Sequence, residues 1–269
     1  MTESMNSIPP HWFDSHCHFD FAALDHEREP QWTLAQRSGV SGLLIPGVHR
    51  QQGEHLAAFC QNRPFYYALG LHPYFLSRHK EDDLLWLEQA LQQPDVIAVG
   101  EAGLDWMLAL TSEQRQQQWF WFRAQVALAQ TYELPMILHI RGAHDEAASF
   151  LRQQRFRAGG MVHAFSGSEQ QGNAWRKLGF RLGIGGAMSH PRAHKLRRTV
   201  AALPLDSWLL ETDSPDMQPA FWNGVNNSPA SIPLLAAMLA SLHRVSLTEL
   251  ALRLEQNLLQ TFPRIAARR

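Results

Sequence analysis

His16 and His18, in the stretch Phe13-Asp14-Ser15-His16-Cys17-His18, are the first residues along the chain able to do chemistry. The apolar lead-in Ile8-Pro9-Pro10-His11-Trp12-Phe13 reads as the run into a strand. On a strand, side chains alternate faces, so Asp14, His16 and His18 project from one side. Two imidazoles and a carboxylate on one face suit a metal ion. The plain alternative is a hydrogen-bonded histidine pair, and 14 histidines produce some pairs by chance. Cys17 points to the opposite face and is not counted as a ligand.

What positions such residues is a recurring unit, a short apolar run followed by a polar, helix-compatible stretch. The runs are Trp12–Ser15, Gly42–Ile45, Tyr66–Leu69, Val96–Val99, Met136–Leu138, Met161–Val162, Phe180–Ile184 and Trp208–Leu210. Between them, Glu113–Tyr132 carries Trp119, Phe122, Val126 and Ala129 at helical spacing, with Thr111 or Ser112 as its cap. Asp82–Leu91 and Ser168–Leu178 read as helices, and Ser246–Leu259 as a last one opened by the capping box Ser246-Leu247-Thr248-Glu249. Eight buried runs alternating with helices predict a parallel sheet with helical crossovers. A single-domain α/β protein, a closed (β/α)8 TIM barrel over 11–269, fits the length of 269 residues, with 1–10 as a disordered extension. The competing architecture is an open doubly wound sheet, which often places a glycine-rich phosphate loop after its first strand, where this chain has His-Cys-His. Gly-Ile-Gly-Gly-Ala at 183–187 reads as a tight turn.

Catalytic groups in a barrel of this kind sit at the C-terminal strand ends. Six of the eight runs end in a histidine or an acid: His16 and His18, His72, Glu101 and Asp105, His139 with Arg141, His163, and Glu211 with Asp213. Imidazoles and carboxylates without thiolates suit Zn²⁺, Mn²⁺, Ni²⁺, Co²⁺ or Mg²⁺. His16, His18, His139, His163, Glu101 and Asp213 exceed the needs of one tetrahedral zinc and suffice for two divalent ions if a carboxylate bridges. Glu101, on the central fourth strand, is the natural bridge. Lys80, Lys177 and Lys195 lie away from the strand ends, so a carbamylated lysine is not expected to take that place. Two ions ~3.5–4 Å apart activate a water and stabilise both oxygens of a displacement, which is hydrolytic chemistry.

The bulk properties narrow the setting. The composition, 45% hydrophobic and 18% charged, is that of a globular protein, and the net charge of −1 gives no global reason to bind nucleic acid. No stretch approaches the ~18 apolar residues of a membrane span. The start, MTESMNSIPP, has neither the basic nor the apolar part of a signal peptide. Two cysteines make no disulfide framework. A cytoplasmic monomer without membrane contact is the expectation.

Taken in order, Asp14-x-His16-x-His18, Gly70-Leu71-His72-Pro73, Gly100-Glu101-x-Gly103-Leu104-Asp105, Pro135-x-x-x-His139, His163-x-Phe165-Ser166-Gly167-Ser168 and Glu211-Thr212-Asp213-x-Pro215 resemble the TatD family of metal-dependent hydrolases in the amidohydrolase superfamily, nearest its YjjV branch. The resemblance covers nearly the whole chain after residue 11. It implies a TIM barrel with a two-metal centre acting as a phosphodiesterase or deoxyribonuclease, with a phosphodiester such as DNA as substrate. It further implies that His16, His18, Glu101 and Asp213 hold one ion and Glu101, His139 and His163 the other, with Glu101 and Asp213 catalytic. Asp213 would orient the attacking water or accept its proton. His72 and Arg141 would contact the substrate phosphate, and Asp14 and Asp105 would fix ligand orientation. The chain departs from the family at Trp106-Met107 and around Trp222-Asn223-Gly224 and Asn227-Ser228-Pro229, all expected in rim loops that touch substrate.

Two other readings stand beside this one. The same centre could hydrolyse an amide, ester or lactone, or the barrel could be a binding protein without activity. The basic stretch Arg192, His194, Lys195, Arg197 and Arg198 reads either as a phosphate track or as a solvated helix face. Trp106 and Trp222 are candidates to stack bases on the rim.

Overall fold

A computed structural model describes residues 10–268, so the extension expected over 1–10 lies, but for Pro10, outside the described residues. The strands are β1 Trp12–Asp14, β2 Val40–Pro46, β3 Phe65–Leu69, β4 Val96–Asp105, β5 Met136–Arg141, β6 Gly160–Val162, β7 Phe180–Ile184 and β8 Trp208–Leu210. All pair in parallel and in sequence order, giving an eight-stranded, nearly closed TIM barrel. The helices are α1 Arg28–Arg37, α2 Arg50–Cys60, α3 Asp82–Ala90, α4 Ser112–Thr131, α5 His144–Gln153, α6 Glu169–Lys177, α7 His194–Ala202, α8 Ile232–His243, α9 Leu247–Thr261 and α10 Pro263–Ala266. Thr111 caps α4 in a full capping box with Gln114, which settles the choice between Thr111 and Ser112. Of the box expected at α9, the half in which Ser246 Oγ accepts from the Glu249 N–H is made.

The continuous apolar runs reflect burial on both faces of each strand. Leu43 and Ile45, Met136 and Leu138, and Trp208 and Leu210 pack outward under the helices. Leu44, Ala68, Ile137, Met161 and Leu209 pack inward with one another. Leu258 of α9, Ile265 of α10 and Phe262 at the junction between these helices join the inward cluster and close the barrel base. A small barrel is a packed core of this kind rather than a pore.

The seam between β1 and β8 is closed by backbone and side-chain bonds, among them those of a buried carboxyl. Asp14 accepts from the Thr212 N–H (3.0 Å) and from the Thr212 hydroxyl (2.6 Å), beside a backbone bond from Ser15 N–H to Leu210 C=O (3.0 Å). Burial pushes the Asp14 carboxyl up to about 7 despite these bonds. β1 therefore ends at Asp14, and His16 and His18 lie on the segment beyond it, not on the strand itself as the sequence suggested. Among the described residues, no single helix is long and apolar enough to cross a membrane.

Candidate metal centre

At β5, β6 and β8 the inward face continues past its apolar residue into a polar one. Two residues beyond Ile137, Met161 and Leu209 come His139, His163 and Glu211. With a period of two, these side chains join the same interior one level nearer the C-terminal rim. Glu101, 1% exposed, stands at their centre. The Gly100 before it has φ of +147°, and a Cβ there would meet the Ile137 carbonyl oxygen at 2.5 Å, so only glycine fits the position that delivers Glu101.

Glu101 sorts the imidazoles between its two oxygens. Oε2 lies 3.2 Å from His16 Nε2 and 3.4 Å from His18 Nε2. Asp213 Oδ1 faces the same two nitrogens, 3.5 Å from each. Oε1 lies 3.1 Å from His72 Nε2, 3.3 Å from His139 Nδ1 and 3.3 Å from His163 Nε2. Thus His16, His18, Glu101, His139, His163 and Asp213 converge on one point. The set Arg141 and His72 divides. Arg141 is exposed at the mouth, where no ion pair or hydrogen bond of its side chain forms among the described residues. His72 lines the cavity but reaches inward to Glu101.

Several of these atoms lack hydrogen-bond partners. Buried without one are both ring nitrogens of His16, Nδ1 of His18 and of His163, Glu101 Oε2 and Glu211 Oε2. Buried polar atoms are ordinarily satisfied, and a cluster of unsatisfied imidazole nitrogens and carboxylate oxygens fits a divalent cation. Three overlapping sets bring ligand atoms within 4.8 Å of one another: His16, His18 and Glu101; His16, His163 and Glu211; and His72, Glu101 and His139.

Hydrogen bonds decide which ring nitrogen each histidine offers. His139 gives Nε2–H to Asp105 Oδ2 (2.9 Å), leaving Nδ1 toward Glu101. Asp105 is itself held by the Met107 and Leu108 N–H groups (2.8 and 3.2 Å). His72 Nδ1 accepts from the Tyr74 N–H (3.0 Å), so the neutral ring carries its proton on Nε2 and donates it to Glu101. That proton excludes His72 Nε2 as a ligand and makes it a brace for the carboxylate. Burial and its histidine neighbours hold the His72 ring at about 4, hence neutral.

The electrostatics of the metal-free cluster pull its members apart. Burial lowers the His18 and His139 imidazoles, but the Glu101 carboxylate, with Asp213 and Asp20 for the first and Asp105 for the second, outweighs it and pushes both up to about 9. Burial raises Glu101, yet the surrounding histidines hold it well below the usual carboxylate range. His163 is driven well down by burial and by His16. Burial raises Asp213, and burial with the Asp213 charge raises Glu211 well above its ordinary value. A cation must displace the protons on His18 and His139 to bind.

Glu211 is the participant that the sequence named only as a strand end. Its Oε1 accepts from the Ala164 N–H (2.7 Å) and lies 3.8 Å from His163 Nδ1, behind the ligand cluster. The inward register shared with Leu209 was the available signal. The glycines at 183–187 are not a tight turn. Gly183 lies in β7, where a Cβ would collide with the Glu211 carboxylate, and Gly185 gives way to the Glu211 backbone. Backbone strain gathers here as well, with φ of 46° at Ala164 and 58° at Asp213. Of the basic stretch 192–198, Arg197 serves the fold, its guanidinium donating to the carbonyls of Met188, His190 and Pro191, while Arg192, His194, Lys195 and Arg198 are exposed.

The centre opens into a cavity of about 340 Å³ walled by Phe21, Tyr74, Phe75 and Leu108, with Arg141 at its mouth. Residues 13–263 match the family model described as TatD related DNase. A 249-residue alignment at 39% identity, covering 91% of this chain and 95% of the relative, joins it to the uncharacterized metal-dependent hydrolase YjjV of Escherichia coli strain K12. The crystal structure of that protein superposes with a TM-score of 0.88 at 38% identity, covering 94% of this chain and 98% of the other. The 3'-5' ssDNA/RNA exonuclease TatD of Pantoea vagans strain C9-1 is 31% identical over 240 residues, 86% of this chain and 91% of the relative.

Proposed function

This chain belongs to the TatD family of metal-dependent hydrolases, and on that premise we propose that it cleaves phosphodiesters, with DNA or another single-stranded nucleic acid as the natural substrate. The observation that carries the reading is Arg141, an exposed guanidinium without a partner among the described residues, standing at the mouth of a cavity whose floor is Glu101 and its histidines. A planar, permanently charged fork there matches a phosphate anion, whereas an amide or lactone carbonyl offers it no charge. The relative named as an exonuclease on ssDNA and RNA supports the same substrate class.

In this reading His16, His18, Glu101 and Asp213 hold one divalent ion and Glu101, His139 and His163 a second. Bound there, the ions supply Lewis-acid stabilisation of phosphoryl oxygens and lower the pKa of water. The side chains do the rest. Asp105 and His72 lock His139 and Glu101 in orientation, so the ligand cluster needs little rearrangement. Asp213, raised by burial, is suited to take a proton from the attacking water. Arg141 holds the phosphate against the floor. Cys17 and Cys60 are free and buried, which suits a reducing cytoplasm as the compartment.

Metal analysis of the purified protein, followed by a screen with Mg²⁺, Mn²⁺ and Zn²⁺ added back, tests this. Bis(p-nitrophenyl) phosphate should be hydrolysed in a metal-dependent way, ahead of phosphomonoesters, amides, esters and lactones. Glu101→Gln should lose bound metal and at least about a thousandfold in kcat/KM. Turnover confined to amides or lactones, or a Glu101→Gln protein with full activity, would overturn the reading.

A further inference from the structure

A second depression, of about 690 Å³, runs outward from the metal cavity between the turn Pro73–Arg78, which follows β3, and the first half of α4, which follows β4. Tyr74 and Leu108 line both, so the two form one continuous surface on the rim that carries His72, Glu101 and Asp105. Its chemistry differs from that of the floor. Tyr74 is 64% exposed and Phe120 50%, large rings left open to solvent, with Leu108 between them and the metal centre also exposed. Trp121 and His79 meet edge to face beneath, their ring centroids 5.2 Å apart. Among the described residues neither lysine nor arginine lines the groove, and Glu81 is its one acid. Gln118 spends its amide on the Asp105 backbone, but Gln117 is exposed and its side chain makes no hydrogen bond among the described residues.

Exposed apolar side chains scattered singly mean little, but a run of them opening into a catalytic cavity marks a binding surface. A groove without cations does not track phosphates. Open aromatic faces with a free amide beside them fit nucleobases, whose flat faces stack and whose edges hydrogen-bond. Trp106 and Trp222 do not line this groove and have partners outside it. Arg115 covers the Trp106 ring at 5.1 Å, and the Trp222 N–H donates to the Asn226 carbonyl.

We infer that this groove is a nucleobase subsite, in which Tyr74 and Phe120 stack the bases next to the phosphodiester being cleaved. The inference rests on the phosphodiesterase reading above. Bases in a duplex are stacked on their own neighbours, so the groove selects single strands.

The test uses the metal-loaded protein with three substrates: bis(p-nitrophenyl) phosphate, which fills only the metal cavity, single-stranded oligonucleotides of increasing length, and the corresponding duplex. In the wild type, kcat/KM should rise with length for single strands and stay low for the duplex. Phe120→Ala should lower oligonucleotide kcat/KM about tenfold through KM, far more than any change on the small diester, and Phe120→Trp should restore it. An oligonucleotide with hydrolysis-resistant linkages and 2-aminopurine near its end should be quenched on binding, a readout that needs neither turnover nor a variant. Length-independent cleavage with no quenching overturns the subsite. So does a Phe120→Ala protein whose sedimentation changes from dimer to monomer with oligonucleotide KM intact, which would make the groove a self-association face. Hydrolysis of the small diester without any oligonucleotide cleavage removes the subsite and leaves the phosphodiesterase reading standing. Hydrolysis of neither removes the reading beneath it.

Discussion

In the lower half of the barrel, Leu44, Ala68, Ile137, Met161 and Leu209 fill the interior and Phe262 closes it from below. One pleat higher, at the C-terminal ends of β5, β6 and β8, the same inward register carries His139, His163 and Glu211 around Glu101. These lower side chains bring no polar atom into the interior, while the upper level holds buried imidazole nitrogens and carboxylate oxygens without hydrogen-bond partners. The walls are common to both halves, so backbone geometry does not explain the contrast. Apolar side chains low in the barrel remove area from water and hold the strands in register. That stability is what allows charge, strained backbone at Ala164 and Asp213, and unmet hydrogen bonds to persist a few ångströms above.

The contrast can be broken at either end. Phe262→Ala removes a fully buried ring from the base and should cost about 3–5 kcal/mol in denaturant unfolding, with the metal content of the folded protein unchanged. Loss of metal without loss of stability would show that the two halves are not separable. At the upper end, Glu211→Gln keeps the volume and the acceptor for the Ala164 N–H but removes the carboxyl that could ionise behind His163 when a cation binds. Metal affinity, measured by titration calorimetry, should fall about 10- to 100-fold with little change in melting temperature. An unchanged affinity would reduce Glu211 to a packing residue.

The smallest effect sharpens the comparison through pH. In metal-free protein His18 and His139 titrate near 9, above the ordinary imidazole value of 6.5. The folded state then binds these protons more tightly than the unfolded chain. Their stabilisation is complete below pH 6.5 and is lost as pH rises through 9. The raised carboxyls of Asp213 and Glu211 act with the same sign. The melting temperature in chelator should fall between pH 6.5 and pH 9, and fall less once a divalent cation occupies the site. A flat profile in chelator would mean that the upper cluster is not coupled to folding.

Much of this was legible beforehand because strands buried on both faces leave continuous apolar runs. Phe180–Ile184 and Trp208–Leu210 coincide with β7 and β8. Val96–Val99 underestimates β4, which runs through Glu101 to Asp105, because glycines and acids at 100–105 break the apolar pattern that marks a strand. Helices such as α1, α2 and α8 did not announce themselves by an apolar stripe. α1 is largely polar, and α8 buries Ile232, Leu235, Ala236, Leu239 and Ala240 in a nearly all-apolar stretch.

The division at the site follows the range of the interactions. The order of histidines and acids after the apolar runs, together with the resemblance of those motifs to the TatD family, pointed to a (β/α)8 hydrolase of metal-dependent type, because strand-end position and ligand chemistry are local properties. What only the tertiary structure decided was which atom meets which. Asp14 closes the seam with Thr212, 198 residues away, and His72 turns its one N–H toward Glu101 because Tyr74 occupies its other nitrogen. Glu211 enters the cluster because glycines on a neighbouring strand leave room for it. Tautomer, register across a seam and space beside a glycine are set by residues distant in sequence, and no spacing along a single chain encodes them.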